Sequence, residues 1–279
     1  MTSFHYNVVE DGTTIEQLLR EQWQAGKKTV HHMRMEKSVT DSDGEPLEWK
    51  SPLKAGTDLI FTVPGARSTY IPNPKAELEI LFEDAHILAV VKPAGIATHP
   101  DGAEKSGTLM NDVMAYIEKN GGDYAEHIHR LDKGTAGVLL VAKHPIAKAL
   151  FDRMIEQNEI VRKYHAEVDG TFKRPKGTIR LPIGRDRHHP QRRRVSPSGQ
   201  AAVTHFRIIE RKPNTTMLEV ELETGRTHQI RVHLAHLGYP VTGDTLYEGS
   251  ETADGEFKLT AIAVSFIHPF TKEQITIEI

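Results

Sequence analysis

Apolar positions along the chain change their period several times, and each change marks an element. Ile15, Leu18, Leu19 and Trp23 recur at helical spacing, with Thr13 or Thr14 placed to cap the start. Residues 27–34 read as a second helix, a basic one carrying Lys27, Lys28 and Arg34. Asp41-Ser-Asp-Gly44 predicts a turn, and residues 58–63 predict a strand. From Ser68 the periodicity lapses into Thr-Tyr-Ile-Pro-Asn-Pro74, whose prolines favour an extended connection. Strands are predicted at 78–82 and 87–91, the second ended by Lys92-Pro93. Leu109, Val113, Met114 and Ile117 then mark a helix capped by Thr108 and stopped by Gly121 and Gly122.

Residues 138–142 are an unbroken apolar run, read as a buried strand. Pro145 opens a helix whose apolar face is Ile146, Leu150, Met154 and Ile155. Residues 161–168 alternate, with Tyr164, Ala166 and Val168 on one face and Lys163, His165 and Glu167 on the other. Leu218, Val220 and Leu222 alternate with glutamates, as in a half-exposed antiparallel strand. Gly225-Arg226 leads into a short helix with Ile230, Leu234 and Leu237 inward and Gly238 at its end. Strands at 259–266 and 275–279 close the chain. Many short strands with few helices predict an α+β fold with a mixed, largely antiparallel sheet. The expected organisation is a small N-terminal α/β domain over 1–66, a linker over 67–77 and a main domain over 78–279.

Composition narrows the class. The chain has 279 residues, 38% hydrophobic and 26% charged, enough for a sizeable core and typical of a globular protein. Cysteine is absent, which excludes disulfides, thiolate catalysis and Cys-ligated zinc. No secretory leader and no apolar run approaching ~18 residues is visible, so a cytoplasmic protein is expected. The formal net charge of −3 does not announce a nucleic-acid binder, but a global count hides local patches. The most basic stretch, residues 184–194, reads either as a solvated charge run or as a phosphate-binding loop. The chain has 16 histidines; of His228, His233 and His236 on one predicted helix only His233 and His236, three apart, share a face well, and no metal site is expected.

The stretch His129-Arg-Leu-Asp-Lys-Gly-Thr-Ala-Gly137 places Asp132 between Arg130 and Lys133, just before the buried run. Two readings stand on spacing alone. One is a surface turn with a weak ion pair. The other is a carboxylate held ionised by nearby cations and presented from a loop on a rigid scaffold.

That stretch closely resembles the signature of the RluA-type pseudouridine synthases, in which a catalytic Asp lies in His-Arg-Leu-Asp followed by Thr-x-Gly. Val90-Val-Lys-Pro-Ala-Gly95, Lys163-Tyr-His-Ala-Glu-Val-Asp-Gly170, the arginine block from Leu222 to Leu234, Lys258-Leu-Thr-Ala261 and Phe266-Ile-His-Pro269 resemble further motifs of the same family in the same order. Lys133, Gly134, Ala136 and Thr260 stand where Arg, Asp, Ser and His are frequent. The N-terminal region is similar to a small RNA-binding domain named after a ribosomal protein. Typical Arg and Asn positions of that domain are missing, and binding and non-binding readings both stand.

The resemblance implies a curved central sheet with flanking helices and a cleft, and conversion of uridine to pseudouridine in structured ribosomal or transfer RNA. It implies no metal or other cofactor, RNA as the partner, and no obligatory protein partner; a monomer is expected. Asp132 would be the catalytic carboxylate, Arg226 its paired guanidinium and Tyr164 the ring against the base, able to join in proton transfer. The target uridine must be flipped out of its stack. Arg130 would fill the vacancy, Lys163 and Lys92 would bind at the cleft, and Arg185, Arg192, Arg194 and Arg231 would contact phosphate. The alternative is a catalytically silent RNA binder on the same fold. Intact Asp132, Tyr164 and Arg226 argue against it. A carboxylate-dependent hydrolase needs a second placed acid, which none of the matched blocks supplies.

Overall fold

The structure is a computed structural model and describes residues 2–63, 67–101 and 105–279. The expected domain boundary at residue 66 lies outside the described residues. Strands β1 (Thr2–Asn7), β2 (Val39–Thr40) and β3 (Asp58–Val63) form an antiparallel sheet in the order β1-β3-β2. The predicted first helix is one α-helical turn, α1 (Ile15–Gln17), continued by a π-helical turn over Leu18–Gln22. Thr14 is the cap: its hydroxyl accepts from Gln17 N at 3.1 Å, and Gln17 Oε1 accepts from Thr14 N at 3.0 Å. The wider turn lets Trp23 N bond Leu18 O at 2.8 Å while Ile15, Leu18, Leu19 and Trp23 all stay buried. Helix α2 (Lys27–Met35) buries Val30 and Met33 and leaves its basic side chains outward.

This N-terminal unit has its own sheet but shares its core with the rest of the chain. Phe4 stacks on His144 at 4.3 Å between ring centroids, Trp23 packs on Phe270 at 5.1 Å, and Phe270 lies flat on His86 at 3.7 Å. The proline-marked connection is a strap laid on the surface. Ser68 Oγ donates to Ala125 O at 2.6 Å, Tyr70 Oη to Glu126 at 2.7 Å and Asn73 Nδ2 to Asp112 at 2.6 Å.

The main sheet is built from β4 (Ile80–Glu83), β5 (Ile87–Lys92), β6 (Glu126–His127), β7 (Ala136–Ala142), β8 (Val161–Asp169), β9 (Lys176–Arg180), β12 (Val203–Arg211), β13 (Thr215–Leu222), β14 (Leu259–Ile267) and β15 (Gln274–Glu278). A separate hairpin supplies β10 (Ile183–Arg185) and β11 (Arg193–Val195). The order is β4-β5-β7-β14-β8-β13-β12-β9, with β6 on β7 and β15 on β14. Every pairing is antiparallel except β14 with β7. At that crossing Gly137 has φ +115°, and a Cβ there would lie 2.1 Å from Ala261 O, so only glycine fits.

Strand β7 is buried on both faces, which accounts for its unbroken apolar run. Val138, Leu140 and Ala142 face the core shared with the N-terminal unit and helix α4 (Pro145–Glu156). Leu139 and Val141 face a second core with helix α3 (Leu109–Lys119), joined by Ile230 and Leu234 of helix α5 (Gln229–His236). Leu237, expected inward, is 40% exposed because α5 ends at His236 and Gly238 turns the chain away at φ +83°. Among the described residues no helix is long and apolar enough to cross a membrane.

Candidate active site

Asp132 sits on a loop that its neighbours hold in place. Its carbonyl accepts from Thr135 N at 3.0 Å. The Thr98 hydroxyl donates to Leu131 O at 2.9 Å and accepts from Leu131 N at 3.1 Å. Lys92 is wholly buried, and its Nζ donates to Pro93 O and Ile96 O at 2.8 Å and to Lys133 O at 3.1 Å. Three carbonyls use all three of its hydrogens. Lys92 therefore ties the turn after β5 to the Asp132 loop and does not offer its ammonium to substrate at the cleft, which corrects the role the sequence suggests for it. Burial pulls its pKa down to about 8, against the pull of Asp132. His129 is buried as well, and its Nε2 accepts from Leu140 N at 3.2 Å. Burial keeps that ring neutral, with a pKa of about 3.

The guanidinium on Asp132 belongs to Arg231. Its Nη1 donates to Asp132 Oδ2 at 3.1 Å. Its Nε and Nη2 donate in parallel to the two oxygens of Asp244, at 2.6 and 2.8 Å. The Tyr247 and Phe257 rings lie 5.0 and 4.8 Å from its central carbon. Phe257 also packs on Gly134, where a Cβ would fall 2.1 Å from the ring. The carboxylates push the Arg231 pKa up against the lowering effect of burial, the largest single influence.

Two sequence expectations are corrected here. Arg226 does not pair with Asp132: it is exposed on the rim, and its Nε donates to Ala201 O at 3.0 Å. Arg231 is no phosphate contact, being 6% exposed. Arg226 precedes α5, whereas Arg231 lies within the helix, where Gln229 to Leu234 are all buried.

Asp132, Tyr164 and Arg130 do come together, around a cavity of about 390 Å³. Arg130 is exposed at the loop, while Tyr164 is buried in the wall. Burial raises the Tyr164 phenol, so it keeps its proton; Arg162 opposes this and Asp132 adds to it. Lys163 points away from the cavity, on the sheet face where it pairs in register with Glu221. The basic residue that shares the Tyr164 face is Arg162. It is 5% exposed, and its Nε has no hydrogen-bond partner among the described residues. A buried N–H left unpaired is a costly arrangement that a ligand would relieve.

His228 also lines the cavity, with Nε2 3.9 Å from Asp132 Oδ2. His233 is committed elsewhere, to Thr204 Oγ1 at 2.8 Å and Leu181 O at 2.9 Å. Among the described residues no group of three or more His, Cys, Asp or Glu side chains is placed to hold a metal. The basic stretch is the β10–β11 hairpin. Arg185 and Arg194 are exposed, and Arg192 lies over Tyr247 at 5.4 Å with its Nη2 3.5 Å from Glu248. Arg162, His228, Asp244, Tyr247 and Phe257 were not singled out as RNA-site residues from the sequence. Alternation along β8 puts Arg162 on the Tyr164 face, whereas the roles of the other four depend on contacts between segments far apart in the chain.

Residues 86–236 match the family model described as RNA pseudouridylate synthase. Residues 2–59 match the model of the RluD ribosomal pseudouridine synthase N-terminal domain. The chain is 40% identical over 275 residues to the uncharacterized RNA pseudouridine synthase YhcT of Bacillus subtilis, covering 98% of this chain and 91% of the relative. It is 38% identical over 208 residues to ribosomal large subunit pseudouridine synthase D of Pseudomonas aeruginosa, covering 74% and 65%. The fold is similar to that of human RNA Pseudouridylate Synthase Domain Containing 1, with a TM-score of 0.60, 22% identity and coverage of 75% of this chain and 85% of that one.

Proposed function

The chain belongs to the RNA pseudouridylate synthase family, and on that basis we propose that it isomerises uridine in ribosomal RNA with Asp132 as the reacting carboxylate. Family membership makes it an RNA-modifying isomerase. The ribosomal substrate is supported by the name of the Pseudomonas aeruginosa relative, ribosomal large subunit pseudouridine synthase D, and by the match of residues 2–59.

The reaction breaks the bond from uracil N1 to ribose C1′, turns the ring and joins C5 to C1′. A proton leaves C5 and N1 gains one, so atoms balance and no electrons are exchanged. A carboxylate must stay ionised and aimed at the nucleotide. The observation that carries the assignment is Asp132 on the cavity wall, bonded by Arg231 at 3.1 Å. Buried Tyr164 offers a ring face for the extracted base. Arg130, exposed beside the cavity, would occupy the gap left in the RNA stack. The exposed Arg185 and Arg194 of the hairpin supply charge for phosphate.

Asp132→Asn nearly preserves volume and should abolish pseudouridine formation while RNA binding persists. Product at the wild-type rate would remove Asp132 from this role. Mapping pseudouridines in ribosomal and transfer RNA with and without the protein tests the substrate. Sites lost only from transfer RNA would move the assignment there.

A further inference from the structure

Tyr247 decides where His228 carries its proton. Its hydroxyl oxygen accepts from the backbone N–H of Arg193, in β11, at 2.9 Å. The same oxygen lies 2.8 Å from His228 Nδ1, and the two rings meet edge to face. Among the described residues the Tyr247 hydroxyl has no other acceptor, so its hydrogen goes to Nδ1. A proton on Nδ1 would make the phenol accept twice and strand its own buried hydrogen, at the cost of a hydrogen bond. Burial pushes the Tyr247 phenol up, so it stays protonated, while burial pulls His228 down, so its ring stays neutral despite nearby Asp132 and Asp244.

A neutral imidazole that accepts at Nδ1 carries its hydrogen on Nε2. That nitrogen faces the cavity, 3.9 Å from Asp132 Oδ2, which is beyond hydrogen-bond length. The same oxygen is already bonded by Arg231 at 3.1 Å. Nε2 makes no hydrogen bond among the described residues. His228 also holds a left-handed backbone, φ 57°, at the head of α5, uncommon for a residue with a β-carbon. The fold keeps a histidine here in a strained conformation, with one ring nitrogen bound and the other offered to the cavity.

We infer that His228 is a catalytic hydrogen-bond donor of fixed tautomer, giving its Nε2 hydrogen to an oxygen of the uridine seated against Asp132. The substrate half of this rests on the uridine-isomerase reading; the tautomer does not. Negative charge that builds on the uracil carbonyls while the bond to ribose is broken would be met by a donor already in place, which is where such a group has its largest effect.

Nitrogen-15 spectra of the histidine-labelled full chain read the tautomer directly. His228 should show an unprotonated Nδ1 and a protonated Nε2 at neutral pH, and Tyr247→Phe should erase that preference. In turnover, His228→Leu should lose roughly tenfold to a hundredfold in kcat with RNA affinity unchanged. His228→Gln, which can place an amide N–H near Nε2, should recover most of that loss. A protonated Nδ1 in the wild type overturns the assignment, as does a His228→Leu variant with wild-type kcat or a His228→Gln variant as slow as His228→Leu. Should His228→Leu fail to fold, the wild-type and Tyr247→Phe spectra decide. If the wild type isomerises no RNA, the proposed function fails while the spectra still settle the tautomer.

Discussion

Arg231 holds Asp132 with one nitrogen and Asp244 with the other two, and the grip on Asp244 is the tighter, at 2.6 and 2.8 Å against 3.1 Å. Asp244 is 1% exposed, so removing either partner would leave the other buried without its counter-charge. Asp244→Asn should therefore destabilise the protein by about 3–5 kcal/mol, the usual cost of leaving one member of a buried pair uncompensated. Urea unfolding without RNA measures this. A loss below about 1 kcal/mol would mean that the pair is solvated, since exposed pairs contribute in that range.

The two arginines of the same motif should separate in kinetics. Arg231→Lys keeps the charge but cannot bond Asp132 and both oxygens of Asp244 at once, so kcat should fall far more than RNA affinity. Arg226→Lys should affect kcat much less, because among the described residues its guanidinium bonds Ala201 O at the rim of the cavity and not Asp132. Equal losses in kcat would return Arg226 to the chemistry.

The hairpin should act through charge. Arg185 and Arg194 are exposed, whereas Arg192 is packed on Tyr247. Replacing Arg185 and Arg194 with Ala should flatten the plot of log affinity against log salt by roughly one to two units, since each lost phosphate contact removes ~0.7 to 0.9. Parallel lines for wild type and variant would show that the hairpin points away from the RNA.

Acid should weaken the fold before carboxylates matter. Burial lowers the pKa of His86 and His127 to about 4, of His129 to about 3, and of His144 well below its ordinary 6.5. The stability these rings contribute is fully present above pH 6.5. As pH falls toward 4, the unfolded chain takes up protons that the folded one refuses, and stability drops by about 1.4 kcal/mol per pH unit for each ring. Urea midpoints from pH 7.5 to 5 give the slope, and His144→Asn, which keeps a capping acceptor for Ala147 N, should make it shallower. A flat profile would mean that these rings titrate normally inside the fold.

Local pattern made much of this molecule legible. The run at 138–142 announced a strand buried on both sides, and Thr108 announced the start of α3, where its N and Oγ1 both bond Asn111 Oδ1. The Asp132 block was legible through its resemblance to a family. What failed was the assignment of cations to faces. Strict alternation from Tyr164 puts Arg162, not Lys163, on the cavity face. Lys92 offered no such cue, because a buried ammonium depends on three carbonyls brought together by folding. Choosing between Arg226 and Arg231 needed the start of α5, which follows a left-handed residue that no helix pattern reveals.

Phe4 packs against Phe270 at 5.7 Å, and Trp23 against the same ring at 5.1 Å. During translation the first aromatics emerge long before the ring that covers them. The N-terminal unit must therefore spend most of synthesis with one greasy side uncovered, whatever its own sheet has achieved. A chaperone that binds apolar surface on the nascent chain would find that side open until residue 270 is clear of the ribosome.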